Sequence, residues 1–285
     1  MIAQAALLPG DRLHLSHGPI DLIIGADGAR DVAFRAAYQR FETVLAELMA
    51  ELPLLRQPVG AKPNGKIACR MYRASLPHAD GLTTPMICVA GAVAEEVLAA
   101  MVAATDLTRA YVNNGGDIAL HLTDEATFKI AIAAPNGHNL GTVEINSSEP
   151  IRGIATSGQR GRSLSLGIAD AVTVLARSAS MADAAATKIA NAVDLPDHSG
   201  IKRAPANSLR DDTDLGATPV VTYIETLSQT DVAHALQRGE TAANTMRDAQ
   251  LIDGAALFLQ GQSQTLGLPV QTKTLKKEPH PCLTS

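Results

Sequence analysis

Apolar positions in this chain recur with two different periods, and the switches between them outline its elements. Ile20, Leu22, Ile23 and Ile24 predict a strand that ends at Gly25. Phe34, Tyr38, Phe41, Leu45, Leu48 and Leu52 follow at three- and four-residue steps. That is the spacing of an amphipathic helix, which Pro53 should stop. Proline and glycine then mark residues 53–66 as a loop. Pro85 opens a second predicted helix over 86–104. It is apolar on nearly every side up to Glu95, as a buried helix is.

Past residue 104 the runs shorten. Residues 110–112 and 118–122 are β-like and flank the turn Asn113-Asn114-Gly115-Gly116-Asp117. Residues 128–133 alternate and run into Pro135-Asn136-Gly137-His138-Asn139, a predicted hairpin turn with 140–145 as the return strand. Strands over 151–156 and 171–176 precede a helix over 181–193. A polar loop over 196–218, a strand over 220–224 and a helix over 230–249 follow. Residues 254–259 read as a last strand or helical turn, and the chain after 269 as a loose tail. Several connections are too short for the crossover that a parallel pair needs, so antiparallel pairing is expected. The fold class is α+β: one domain over 1–285, with a mixed, largely antiparallel sheet packed by helices.

Composition narrows the function. At 46% hydrophobic and 19% charged, the chain can bury a sizeable core. Its net charge of −5, with basic residues clustered only at Lys273–Lys277 in the polar tail, speaks against a nucleic-acid partner. Aromatic residues, at 3%, are too few for base-stacking platforms. Cys69, Cys88 and Cys282 form no CxxC pair, so neither a disulfide framework nor a zinc knuckle is expected, and a cytoplasmic location fits. The N-terminal segment lacks the basic region of a secretory signal, and no charge-free apolar run reaches about 18 residues. No membrane partner is expected. The histidines are scattered, with His78, His121 and His138 assigned to surfaces or turns, and no Gly-x-Ser-x-Gly elbow, Walker loop or GxGxxG motif follows a strand.

Three segments carry candidate chemistry. In Ser180-Met181-Ala182-Asp183-Ala184-Ala185-Ala186-Thr187, Asp183 and Thr187 stand four residues apart on one helix face. Carboxylate and hydroxyl are hard oxygen donors suited to Mg²⁺, and the helix N-terminus would receive phosphate. The same residues also read as a capping box, with Ser180 as N-cap, Asp183 reaching back and Thr187 bonded within its helix. In Asn114-Gly115-Gly116-Asp117, paired glycines allow positive φ and close approach to a ligand, or simply a tight turn. Thr156-Ser157-Gly158, with Arg160 and Arg162 beyond it, offers hydroxyls and guanidinium groups to a phosphate, or again a turn.

In order and spacing these blocks resemble the ApbE-like superfamily, whose characterised members are FAD:protein FMN transferases. Gly91-Ala92-Val93-Ala94 is similar to the family's glycine–alanine turn opening a helix. Gly115-Gly116-Asp117 is similar to its GGD turn, and Thr156-Ser157-Gly158 to its TSG turn. Val172-Thr173-Val174 and Ala182-Asp183-Ala184…Thr187 are similar to the strand and helix that follow. The likeness covers residues 85–193 and comes nearest to a shorter branch of the family, with the run Ser163-Leu164-Ser165-Leu166-Gly167. It implies Mg²⁺ held by Asp183, Thr187 and the carbonyl of Ala92. It also implies an FAD diphosphate beside Asn114, Gly115, Gly116, Asp117, Thr156, Ser157 and Gly158, with transfer of FMN to a hydroxyl of an acceptor protein. Two departures stand out. Glu95-Glu96 replace a Lys-Gly, and the segment from Arg162 to Asp170 lacks the family's His and Asp-Pro.

The leading expectation is a Mg²⁺-dependent protein binding a flavin nucleotide (FAD), an FMN transferase or an FAD diphosphate-cleaving enzyme. A non-catalytic nucleotide- or anion-binding module is the alternative. A role in sulfur amino-acid metabolism, through Cys69 or Cys88 as carrier, is a third reading. A homo-oligomer is compatible with all three.

Overall fold

The computed structural model describes residues 2–133, 139–161 and 163–267. The turn around 135–138, His138, Arg162 and the tail with Lys273–Lys277 and Cys282 lie outside them. In chain order the elements are β1 (Gln4–Leu8), β2 (Arg12–His17), β3 (Ile20–Gly28), α1 (Arg30–Leu55), α2 (Lys66–Ser75), α3 (Val89–Ala104), β4 (Leu107–Asn114) and β5 (Asp117–Leu122). Then come β6 (Thr127–Ala133), β7 (Asn139–Asn146), β8 (Gly153–Ser157), β9 (Ala171–Ala176), α4 (Ala179–Ala192), β10 (Ile201–Pro205), β11 (Pro219–Ile224), α5 (Gln229–Asp248), β12 (Gly254–Leu259) and β13 (Gln262–Leu266). Short 3₁₀ turns at Leu76–His78, Pro85–Cys88 and Ala206–Ser208 join them.

Nine strands form one sheet in the order β1-β2-β3-β4-β5-β8-β9-β12-β13, antiparallel at every pairing. The expected α+β class holds, as does the short-connection argument for antiparallel pairing. Helices cover one face. Leu15, Leu22 and Ile24 pack with Phe41 and Val44 of α1 and Val97 of α3. Val172, Val174 and Leu257 pack with Ile189 of α4 and Leu236 of α5. On the other face, Val143 and Ile145 of the β6–β7 hairpin cover Leu120, Ile154 and Leu175.

Several element expectations change. β3 continues past Gly25 to Gly28, because Gly25 is where the Tyr111 ring crosses the strand and a Cβ there would overlap the ring. α1 runs through Pro53 to Leu55. The proline sits in the last turn, so it removes a single bond, that to the Met49 carbonyl, on a solvent-facing side where Met49 is 57% exposed. α2 was unforeseen, since its apolar face of Ile67, Ala68, Met71 and Ala74 is only ten residues long. β10 lies inside the supposed 196–218 loop. Its charged Lys202 and Arg203 conceal the alternation, and β11 supplies its partner. β1 and β13 carry weak local signals as exposed edge strands, and β2, between β1 and β3, alternates over only six residues, with Leu13 and Leu15 inward.

The helix Pro85–Ala104, including its 3₁₀ turn, is long and apolar enough to cross a bilayer by length and composition. Half of it is buried against the rest of the protein, and Glu95 and Glu96 within it are ion-paired with arginines of α1 and α2. That is the pattern of a central helix in a folded domain.

Gly153 of β8 lies where α4 begins. A Cβ there would overlap the Ser178 carbonyl and the Ala179 nitrogen, all of them backbone atoms that cannot rotate away. Gly153→Ala should therefore lower unfolding free energy by about 1–3 kcal/mol, the usual cost of overpacking, as read by denaturant melts. An unchanged midpoint would mean that the α4–β8 contact is loose.

Candidate functional site

The candidate site forms where α3 and α4 touch. Gly91 permits the contact, since a Cβ there would overlap the Ala179 carbonyl of α4. The alanine-rich first turns of both helices keep the backbones close.

α4 is capped differently from either sequence reading. Its N-cap is Ser178, whose Oγ accepts from the Met181 N–H at 3.4 Å. Ser180 lies inside the first turn, and its N–H and hydroxyl both donate to Glu95 Oε1, at 2.6 and 2.7 Å. The capping box of Ser180 and Asp183 does not form. The α4 N-terminus is also not free for phosphate, because a side-chain carboxylate from α3 already fills that electropositive position. Glu95 and Glu96 further bind Arg70 of α2, and Glu96 binds Arg40 of α1 at 3.0 Å. The pair that departs from the family's Lys-Gly therefore ties four helices together.

Asp183 turns instead toward α3. Its Oδ2 accepts from the Gly91 N–H at 2.9 Å, and the Ala90 N–H also bonds the carboxylate. It is only 8% exposed. Burial first, then the neighbouring Asp117 carboxylate, push its pKa well above the ordinary carboxylate range, with Glu95 adding to the effect. The two backbone N–H groups pull it part of the way back. No Lys, Arg or His pairs with it among the described residues. One turn later the Thr187 hydroxyl donates to the Ile87 carbonyl at 3.3 Å, leaving its helix rather than bonding within it. Asn114 Nδ2 donates to the Ala90 carbonyl at 3.1 Å. Three side chains thus converge on the start of α3.

Ala92 is buried in the first turn of α3. The carbonyls that accept hydrogen bonds from the site's side chains are those of Ile87 and Ala90. The Gly115-Gly116 loop joins β4 to β5 as a two-residue turn with φ of +66° and +115°, and Asn113 Oδ1 accepts from the Gly116 N–H at 2.8 Å. Open space lies around Gly116. Strand alternation puts Asp117 on the helix face, beside Asp183.

The TSG turn divides between the faces. Thr156 sends its hydroxyl to Thr173 on the outer face, at 2.9 Å, and offers the site only its N–H, 3.3 Å from Asp117 Oδ1. Ser157, paired with Val172, shares the helix face. Gly158 is required by the close passage of Asp170, and Arg160 is held by Asp170 at 2.9 Å. His78 lies in the 3₁₀ turn Leu76–His78, as one of its two expected places, but is buried there. Burial, with Lys188 nearby, lowers its pKa to about 4. His121 is half-buried and bonded to the Leu107 carbonyl. Cys88 is buried with its Sγ on the Met71 and Pro85 carbonyls, and burial raises its pKa, which leaves it poorly suited as a carrier thiol. Asp80 and Thr83, which no local pattern singles out, hold Lys188, the neighbour of Thr187, across more than a hundred residues of chain.

A nine-stranded antiparallel sheet, with a buried Asp183 and a part-buried Thr187 on α4 facing a glycine–alanine helix start, defines an ApbE-like α+β protein. The family model described as AbpE bacteria matches residues 4–265, and the chain belongs to that family. It is 40% identical over 127 residues to a UPF0280 protein of Methanobrevibacter smithii, covering 44% of this chain and 52% of that protein. It is 36% identical over 144 residues to a UPF0280 protein of Methanothermobacter thermautotrophicus, covering 50% and 54%. The chain thus spans about half the length of the curated relatives it matches. The solved ApbE protein of Thermotoga maritima is 10% identical, covers 92% of this chain and 96% of its own, and has a TM-score of 0.53, a likeness of fold.

Because the folded pKa of Asp183 is raised, the folded state binds a proton that the unfolded state has released. Its contribution to stability is full below the ordinary carboxylate pKa and is lost as pH rises through the raised folded value. In the metal-free protein, Asp183→Asn should remove this loss and melt above the parent chain at neutral pH, with the two converging at low pH. Parallel pH-dependent melting curves would show that Asp183 carries no buried charge penalty.

Proposed function

We propose that the protein binds a flavin nucleotide, FAD, through Mg²⁺ at the α3–α4 junction. The observation that carries this reading is the buried Asp183 carboxylate, pressed by Asp117 and met only by backbone N–H groups. A buried anion without a cationic partner is costly, and a divalent cation would offset that cost. The donors nearby are all hard oxygens: Asp183, the Thr187 hydroxyl and the Ile87 and Ala90 carbonyls. Among the described residues no cluster of three or more His, Cys, Asp or Glu forms a ready cage. That suits Mg²⁺, which keeps waters and completes its shell on substrate phosphates.

When bound, the cation would polarise a diphosphate and neutralise charge on its leaving group. The chain's own part would be to hold that diphosphate. With the α4 N-terminus closed by Glu95 and the Gly116 N–H already given to Asn113, the helix-face hydroxyl of Ser157, beside the open space at Gly116, is the group left to do so. Transfer of FMN to an acceptor protein, or cleavage of FAD, is the chemistry that the family resemblance suggests. A second reading is favoured by Glu95 itself. A carboxylate where relatives of the transferase type carry Lys-Gly weakens the field for a phosphate leaving group, which suits a binding module without turnover.

A thermal-shift titration with FAD, with and without Mg²⁺, tests the proposal. The expected result is a metal-dependent rise, equivalent to about 2.7 kcal/mol at a ligand concentration of 100 Kd, that disappears in Asp183→Ala. A shift that ignores Mg²⁺, or survives the substitution, rules out metal-bridged binding. Release of AMP from FAD, followed by chromatography, then separates the enzyme from the binding module.

A further inference from the structure

The sheet begins with an edge that lacks the usual protection. β1 reads Gln4-Ala5-Ala6-Leu7-Leu8, pairs with β2 along one side and with no other strand among the described residues. It has no charge, proline or bulge, the devices that normally keep an edge from pairing with another chain. Leu7 lies opposite Leu13, and Ala5 opposite the buried Leu15, so both point to the helix-covered face. Leu7 is nevertheless 77% exposed, because α1 does not extend over it. Beside it, Leu7, Leu13, Phe34 and Tyr38 line a groove of about 350 Å³. Asp31 and Arg35, one helical turn apart on α1, stand along the same groove. Neither takes part in an ion pair among the described residues, whereas Arg30 and Arg40 of the same helix are paired.

We infer that this face joins two copies of the chain, with β1 strands pairing antiparallel about a two-fold axis perpendicular to the sheet. The occupant follows from the symmetry of the charges. A two-fold operation reverses α1, so the acid at 31 in one copy faces the base at 35 in the other, and both unpaired charges are satisfied by the same patch. The axis keeps both helix layers on one side and brings the two apolar grooves together. A register centred on Ala6 places each Leu7 opposite Ala5 of the other copy, a large side chain over a small one. The two nine-stranded sheets then become one continuous sheet, and the open hydrogen-bonding edge is used up.

Sedimentation of the full chain tests this, with Leu7→Lys as the edge variant. Leu7 is so exposed that its loss should leave the monomer's melting point in place. The wild type should sediment as a dimer and Leu7→Lys as a monomer of unchanged fold. Asp31→Arg should weaken the dimer about tenfold through like-charge contact, and Asp31→Arg with Arg35→Asp should restore it, because the swapped pair is again complementary. A monomeric wild-type chain overturns the inference. So does a dimer indifferent to Leu7→Lys and to the charge reversal. A monomer that dimerises only after residues 268–285 are deleted also overturns it, and identifies the chain's own tail as the occupant.

Discussion

The close approach of α3 to α4 at Gly91 is the constraint on which the rest of this structure depends. Helix backbones come this near only where one side has no Cβ and the other has little beyond it. Gly91 and Ala179 meet that condition, and Gly153 meets it again beneath Ser178. Once the helices touch, the Gly91 N–H lies within reach of Asp183, and Glu95 within reach of the first turn of α4. The site is therefore a consequence of packing, assembled from two alanine-rich helices.

The charges at this junction sort into two kinds. Glu95 and Glu96 are fully engaged by Arg40, Arg70 and the Ser180 backbone, so they fasten α1, α2, α3 and α4 to one another. Such a network is structural, since each carboxylate has charged or N–H partners that offset its desolvation. Asp183 and Asp117 differ. Asp117 raises the cost of ionising Asp183, and Asp183 has only backbone dipoles to answer it. An arrangement that is poor for stability alone is what makes this junction the candidate site, because perturbed carboxylates gather where a ligand or metal can supply the missing charge. Glu95 links the two kinds. In capping α4 it stabilises the scaffold, and in doing so it removes the most obvious phosphate position.

Much of the fold was legible because its signals are local. Long periodic segments such as Phe34 to Leu52, and the alternation of residues 128–133, are visible in any short window. The elements that went unread have weak local signals. β1 and β13 are edge strands, β10 carries charge within a short strand, and α2 shows a single short apolar face. Gly25 misled for a related reason. A glycine that makes room for the Tyr111 ring, far along the chain, looks like a glycine that ends a strand.

By itself the sequence determined the α+β class, the antiparallel habit of its sheet, and the choice of Asp183, Thr187 and the Asn114–Asp117 turn as the groups worth watching. These follow from periodicity, connection length and side-chain chemistry, all of which are written along the chain. Only the tertiary structure decided between a cap and a buried carboxylate for Asp183, because that depended on Gly91, more than ninety residues earlier. It likewise turned Thr156 away from the site and Ser157 toward it, and closed the α4 N-terminus with Glu95. Hydrogen-bond partners and burial are properties of the packed chain, and no local window contains them.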